Sequence, residues 1–434
     1  MADQVESAAA IAPVSEVAAP AAERHLVLWL TNLSHAVNHF QGQMVSVLYA
    51  VIMPDFGFGY TQLGIITAIT GVIGALSQGL YGLATPFLRR AGLLGVGNLI
   101  MGVGTCLTGL TGSFSGFVGA RAVAQVGGSA QHPIGASLLA RYFPRRRGAV
   151  LAFNSSVAQV GSLLAPIGAG LLLLVMSWRQ VFLAVGFLSL AIGLAYLLAQ
   201  SRLQDGHNAR ESSGKFGRAV TSYLHVLRNR NVLLVCLVMM VGGAGRGAGV
   251  NLAYIGPHLK NDLGLATTLV AGALTALQAG GMAGSIILGW LSDRLSRKGI
   301  IQVSLLLSGL GTLWIAFQGA SLIPLFVGLV IYGGVTSSRL TLTQAVVADS
   351  LPDNDRDAGF SIFFLLGFTT GPLWALLTGI LMDHYGFSIA FSTLAVTYVI
   401  GITLMFFVVD SRPKDHGPAV TGPELSPPAH LTPP

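Results

Sequence analysis

Apolar runs of helix length alternate with short polar connectors along nearly the whole chain. Twelve such runs are predicted, at about 26–53, 61–84, 91–111, 116–140, 148–175, 180–199, 232–258, 267–291, 299–318, 322–347, 358–381 and 387–409. The connectors are rich in Gly, Pro or Arg, as turns between antiparallel helices require. Each run is long enough to cross a bilayer, and closely spaced runs must pair as hairpins. The pattern therefore predicts an all-α membrane protein with 12 transmembrane helices. Residues 1–23 and 411–434 lack the pattern and are rich in Ala and Pro. They are expected to be disordered tails, and the first carries no basic segment of the kind a cleaved signal peptide has.

Composition agrees with the pattern. Of the 434 residues 53% are hydrophobic and only 9% charged, and mean hydropathy is +0.69, far from any soluble globular domain. Charges are scarce because one at the bilayer centre costs at least ~2.5–3.5 kcal/mol. The 56 glycines let helices approach where lipid offers no hydrophobic drive for association. The net charge of +7 is topological. If the N-terminus is inside, nineteen of the 24 Lys and Arg fall in the tails and the loops on that side, while Arg179 and Lys260 fall outside. Both termini are thus expected in the cytoplasm, in a bacterial-type inner or plasma membrane. The bases are scattered over separate loops, which excludes a nucleic-acid surface. Cys106 and Cys236 lie in different spans without redox or metal spacing and are expected to be packing residues.

The one long hydrophilic interior stretch, 201–231, divides six spans (24–200) from six (232–410). Within it Lys215, Arg218, His225, Arg228 and Arg230 alternate with Phe216, Val220, Tyr223, Leu224 and Leu227, which predicts an amphipathic helix at the membrane surface. The halves echo each other. Gly82-Leu-Ala-Thr-Pro86-Phe-Leu-Arg89-Arg90 follows the second span as Gly289-Trp-Leu-Ser-Asp293-Arg294-Leu-Ser-Arg297-Lys298 follows the eighth, 207 residues later. A repeat of this kind implies two six-helix bundles related by a pseudo-twofold axis along the membrane normal, with a ligand site at their seam.

Polar residues inside the spans are few and concentrated. All 17 acids lie in loops, tails or span ends. Three arginines are intramembrane: Arg121 in span four, Arg246 in span seven and Arg339 in span ten. His35 and His39 lie in span one and His132 in span four. Arg121, Gln125, Gly128 and His132 recur at helical spacing, as do His35, Asn38, His39 and Gly42, and Tyr332, Thr336, Arg339 and Thr343. Arg246 sits within Gly242-Gly-Ala-Gly-Arg-Gly-Ala-Gly249, a segment expected to bend or unwind. A single membrane arginine can bond backbone carbonyls or snorkel, and a single histidine is more often a packed side chain than a ligand. Three guanidiniums without a membrane acid, however, demand a counter-charge. An anionic solute held by bidentate contacts is the simplest supplier.

The charged connector Gly289-x-x-x-Asp293-Arg294-x-x-Arg297-Lys298 resembles the signature loop of the major facilitator superfamily, and the resemblance to that superfamily covers about residues 24–410. Leu33-Ser-His35-Ala-Val-Asn38-His39, Tyr60-Thr-Gln-Leu-Gly64, and Gln125-Val-Gly-Gly-Ser-Ala-Gln-His132-Pro133 resemble its fosmidomycin-resistance branch, over about 30–170. That branch exports a phosphonate antibiotic. It has an acid where this chain has His39 and another where this chain has Ile134. The resemblance implies two bundles that rock about a central site lined by spans one, four, seven and ten, the spans that hold the buried Arg and His. Gly161-x-x-x-Ala165-Pro166 in span five is similar to an antiporter motif and tilts the reading toward export.

The expectation is a secondary transporter of a small organic anion working by alternating access. Its substrate residues would be Arg246, Arg339, Arg121, His35, Asn38, His39, Gln125, His132, Tyr254 and Tyr332. With no acid in the cavity, proton coupling falls to His35, His39 and His132, since an imidazole titrates near ~6.5. Gly289, Asp293, Arg294, Arg297 and Lys298 would form the gate loop. No cofactor or metal is expected, nor any enzymatic activity, and a monomer is expected in the bilayer. Competing readings are a uniporter or anion exchanger importing a carboxylate, a non-transporting receptor, and, least favoured, a membrane enzyme holding a metal on the three histidines. The last lacks a nearby carboxylate to act as base.

Overall fold

The computed structural model describes residues 19–85, 87–203, 215–244, 249–352 and 355–410. Residues 1–18 and 411–434 of the expected tails, Pro86, 204–214 of the linker, and Arg246 with its neighbours 245–248 lie outside the described residues, while Ala21, Ala22 and Glu23, expected in the first tail, begin the first helix.

Every predicted span overlaps helix. Spans one to three are α1 (Ala21–Phe56), α2 (Tyr60–Ala84) and α3 (Arg90–Leu110). Span four is α4 (Phe114–Gly128) and α5 (Ala136–Tyr142), joined by a π turn over Gln131–Gly135. Spans five and six are α6 (Arg147–Leu172) and α7 (Trp178–Ala199). The linker forms α8 (Lys215–Arg228). Span seven is broken into α9 (Arg230–Met240) and α10 (Gly249–Pro257), followed by a π turn His258–Asp262. Spans eight to ten are α11 (Thr267–Arg294), α12 (Arg297–Phe317) and α13 (Leu322–Ser350). Span eleven occupies α14 (Arg356–Thr369) and the first part of α15 (Gly371–Phe406), whose remainder is span twelve.

Eight helices among the described residues are long and apolar enough to cross a membrane unaided. The others fall short for visible reasons. The middle of α1 carries Asn32, Ser34, His35, Asn38, His39, Gln41 and Gln43. Spans four and seven are interrupted. In span four Pro133 has no N–H to give and its ring collides with the carbonyl one turn back, so the helix widens into a π turn. In span seven α9 ends at Met240 and Gly242 takes φ +34, a left-handed conformation that favours glycine. Spans eleven and twelve run on through a single kink, Gly386 at φ +80.

Packing repeats between the halves. α3 pairs with α7 and α4, as α12 pairs with α15 and α13. α1 packs on α6, as α9 packs on α14, and α2 on α4, as α11 on α13. Close crossings use glycine: a Cβ on Gly280 would stand 2.0 Å from the Val330 carbonyl oxygen, and one on Gly104 2.2 Å from the Ala124 nitrogen.

The halves meet along α2 with α15, α6 with α11 and α1 with α10. These contacts gather at the end of the molecule opposite the chain termini. There Gly379 would drive a Cβ to 2.3 Å from the Tyr60 carbonyl oxygen, Gly256 to 2.3 Å from that of Ser46, and Gly170 to 2.4 Å from the Ala271 Cβ. Hydrogen bonds reinforce the seal. Asp383 accepts from the Tyr60 and Thr61 amides at 2.9 and 2.7 Å, and the Tyr60 hydroxyl donates to Asp262 at 2.8 Å.

Candidate functional site

Three imidazoles meet in the middle of the N-terminal half. His35 and His39 lie one helical turn apart on α1, and the π turn aims His132 at them. Ring centroids are 4.9 Å apart for His35 and His39, 5.1 Å for His35 and His132, and 5.5 Å for His39 and His132. His35 is buried, His39 half-buried and His132 exposed, so the cluster has an inner wall and an accessible side.

The hydrogen-bond network sets the tautomers. Asn32 Nδ2 donates to the Leu28 carbonyl at 2.7 Å, which turns Asn32 Oδ1 toward Asn154. Asn154 Nδ2 donates to that oxygen at 3.0 Å, which turns Asn154 Oδ1 toward His35. His35 Nδ1 therefore carries the proton and donates it to Asn154 Oδ1 at 2.7 Å. On the same logic Ser162 gives its hydrogen to the Ala158 carbonyl and accepts from His39 Nδ1 at 2.9 Å. In both rings Nε2 is left with a lone pair. The Nε2 of His35 is buried with no hydrogen-bond partner.

Asn154 and Ser162 were not among the sequence-derived candidates. Their signal was present: Asn154, Ala158 and Ser162 follow at four-residue steps on α6, the spacing that separates His35 from His39. A further polar lattice ties α1 to its neighbours. Ser34 donates to Gln131 Oε1 at 2.6 Å, Thr105 donates to Gln41 Oε1 at 2.7 Å, and Tyr196 donates to Thr31 at 3.1 Å.

The remaining candidates are dispersed. Asn38 donates to the Gly128 carbonyl at 2.9 Å, bracing the broken fourth span. Gln125 lies over Gly74 of α2. Arg121 is buried beneath the Phe182 ring, its guanidinium carbon 5.8 Å from the centroid, with the Tyr49 phenol as hydrogen-bonding neighbour. Arg339 is 1% exposed, 4.9 Å from the Tyr398 ring centroid. Tyr332 is buried beside it and contacts Asn251 and Thr312. Tyr254 is buried in the seal, donating to the Ala375 carbonyl. The expected ring of guanidiniums at the seam is therefore not what the described residues form. Arg121 and Arg339 are each buried beside an aromatic side chain of their own half.

In the charged connector, Arg297 pairs with Asp293 at 2.8 Å and with Asp349 at the end of α13 at 2.5 Å. Lys298 Nζ donates to the Phe406 carbonyl at 2.8 Å. Arg294 covers Trp290, 3.9 Å from its ring centroid. Gly289 has open space where a Cβ would stand. All these partners belong to the C-terminal half.

Comparison with known proteins completes the picture. The family profile described as Major Facilitator Superfamily matches residues 31–248 and 243–433. The chain is 24% identical over 390 residues to the fosmidomycin resistance protein of Escherichia coli (strain K12), covering 90% of this chain and 94% of that protein. It is 25% identical to a probable sulfoacetate transporter of Cupriavidus necator, covering 81% and 79%. It is 21% identical to a sialic acid transporter of E. coli, covering 84% and 89%. Among solved structures it is similar to a bacterial homologue of the human lysosomal transporter Spinster in an inward-facing, occupied conformation. That match has a TM-score of 0.74 at 18% identity, covering 90% of this chain and 97% of that one. A D-xylose–proton symporter aligns with a TM-score of 0.70 at 15% identity, covering 89% and 98%. With its helical repeat, seam and signature loop, the chain belongs to the major facilitator superfamily and is an integral membrane transporter, not an enzyme.

Proposed function

We propose that this protein is a secondary active transporter of a small organic anion that works by alternating access, is coupled to protons and runs in the export direction. Arg121 carries the reading. Its Nε and Nη1 are buried without a hydrogen-bond partner, and no carboxylate among the described residues pairs with it. An uncompensated buried guanidinium is costly, and an anion that enters the site supplies the missing charge and fills the open donors. Relatives named for L-galactonate, sulfoacetate and sialic acid handle solutes that are themselves organic acids. The two units, 24–200 and 232–410, act as rocking bodies, with 201–231 as the cytoplasmic linker. With both termini in the cytoplasm of a bacterial-type inner membrane, the sealed end faces outward and the conformation described is open to the inside. The His35, His39 and His132 cluster is the proton-accepting group, and the Asp293, Arg294 and Arg297 loop is the gate on the cytoplasmic side. Pro166, within α6 at the seam, supports export in the way the softened antiporter motif suggests. The transporter is proposed to act as a monomer.

The test is flux into proteoliposomes with sugar acids, sulfonates and phosphonates, with and without a pH gradient. Arg121→Ala should reduce flux of the accepted anion at least tenfold while leaving the protein monodisperse. Wild-type flux in that variant would remove the anion site, and flux indifferent to the pH gradient would remove proton coupling.

A further inference from the structure

We propose that His35, His39 and His132 form a three-histidine site for a divalent transition-metal ion, with an open coordination position on the exposed side of His132.

The cluster has the parts such a site needs. One ligand atom from each ring can be chosen so that all three lie within 4.8 Å of one another. Tetrahedral coordination at ~2.0–2.1 Å requires neighbouring nitrogens about 3.3 Å apart, so small χ rotations bring the rings to bonding distance. The rings come from two helices that are themselves fixed. α1 is pinned through Ser34 to Gln131 at the π turn, and Asn38 holds the Gly128 carbonyl just before it.

Tautomer choice is the stronger argument. Nδ1 of His35 and of His39 is committed as a donor, to Asn154 and to Ser162. Metal-binding histidines are held in this way, one nitrogen donating to an outer partner and the other free to ligate. The lone pair on His35 Nε2 is buried without a donor to satisfy it, beside the rings of His39 and His132. An electrophile belongs between them. A proton bridges one pair of nitrogens, whereas a metal ion engages all three. Imidazole ligands select the zinc, cobalt, nickel and copper class over magnesium or calcium. Three neutral ligands leave both positive charges of the ion uncompensated, so the open position favours an anionic fourth ligand.

The inference stands apart from the anion reading, because binding is measured on resting protein without flux. Full-length protein free of any polyhistidine tag would be purified in detergent and titrated with Co²⁺, then with Zn²⁺ in competition. One cobalt per chain is expected, with the visible absorption of a low-symmetry nitrogen site, displaced by zinc. His39→Ala and His132→Ala should each lower affinity at least tenfold. The His132 side chain is exposed, so its removal leaves packing intact. Asn154→Ala keeps all three ligands but frees the His35 tautomer, and should lower affinity by about 10–100-fold. The other seven of the ten histidines act as an internal control, because binding at those would survive all three changes. No stoichiometric cobalt spectrum in the wild type, or unchanged affinity in either His39→Ala or His132→Ala, would overturn the site.

Discussion

His132 reaches its partners because the residue after it is proline. An unbroken fourth span would carry His132 on the same face as Gly128, Gln125 and Arg121, the alignment that spacing alone predicts. The π turn over Gln131–Gly135 adds a residue, so His132 leaves the face that Arg121 and Gln125 share on α4 and meets the histidines of α1. Just before the break, the Gly128 carbonyl accepts from Asn38 of α1. Asn38→Ala should therefore destabilise the protein by about 1 kcal/mol, the usual scale for an interhelical hydrogen bond in a membrane. Thermal unfolding in detergent would show it as a lower midpoint, and an unchanged midpoint would mean the carbonyl finds water instead. The residues of the cluster were legible in the sequence: polar groups in an apolar helix are few, and His35, Asn38, His39 and His132 stand out at once. What they do was less legible. Asn38 reads as a ligand by type and is a brace by position, while Asn154 and Ser162, which orient the rings, look like ordinary small polar residues until α1 and α6 are seen in contact.

Helix ends help to hold the two halves together. The first N–H groups of α2 have no partner within their own helix, and Asp383 of α15 accepts two of them from the opposite half. The negative charge also faces the positive end of the α2 dipole. Replacing a capping carboxylate costs about 0.5–2 kcal/mol, which is roughly a 2- to 30-fold change in the equilibrium between sealed and open forms. Asp383→Ala should open the sealed end by that factor, read as faster labelling of a cysteine placed at Ser46. Gly379→Val should go further, since its first side-chain atom already collides with the Tyr60 carbonyl. Slower labelling in either variant would show that these contacts do not close the seam. Hydrophobic periodicity located the spans to within a few residues, because each must be apolar over bilayer length. It carried no sign of which end is closed. Both ends of a transporter must close in turn, so the pairing residues at each are ordinary loop and cap residues whose partners lie hundreds of positions away.

At the scale of the whole molecule, α8 of the linker is docked on the C-terminal half. Ser222 donates to Asp355 Oδ1 at 2.6 Å and His225 Nδ1 contacts its other oxygen at 2.5 Å, so α8 is carried on the end of α14. Among the described residues, the charged connector is likewise braced to α13 and α15 of the same half. The Ser222 hydroxyl first, and His225 second, hold the Asp355 carboxyl below its ordinary range. A carboxyl with a depressed pKa in the folded state contributes its stabilisation above its unfolded pKa of about 3.9, and loses it as pH falls through the lower folded value. The carboxylate's share of α8 docking should therefore be lost as pH falls below about 4. Asp355→Asn, which keeps the shape and removes the charge, should release α8 already at pH 7. Limited trypsin digestion reports this directly, because Arg228 and Arg230 lie at the C-terminal end of the docked helix. Faster cleavage there in Asp355→Asn, with the transmembrane core intact, is the expected outcome. Equal cleavage rates in variant and wild type would mean that α8 is held by its buried Val226, with the carboxylate contributing nothing to where the linker sits.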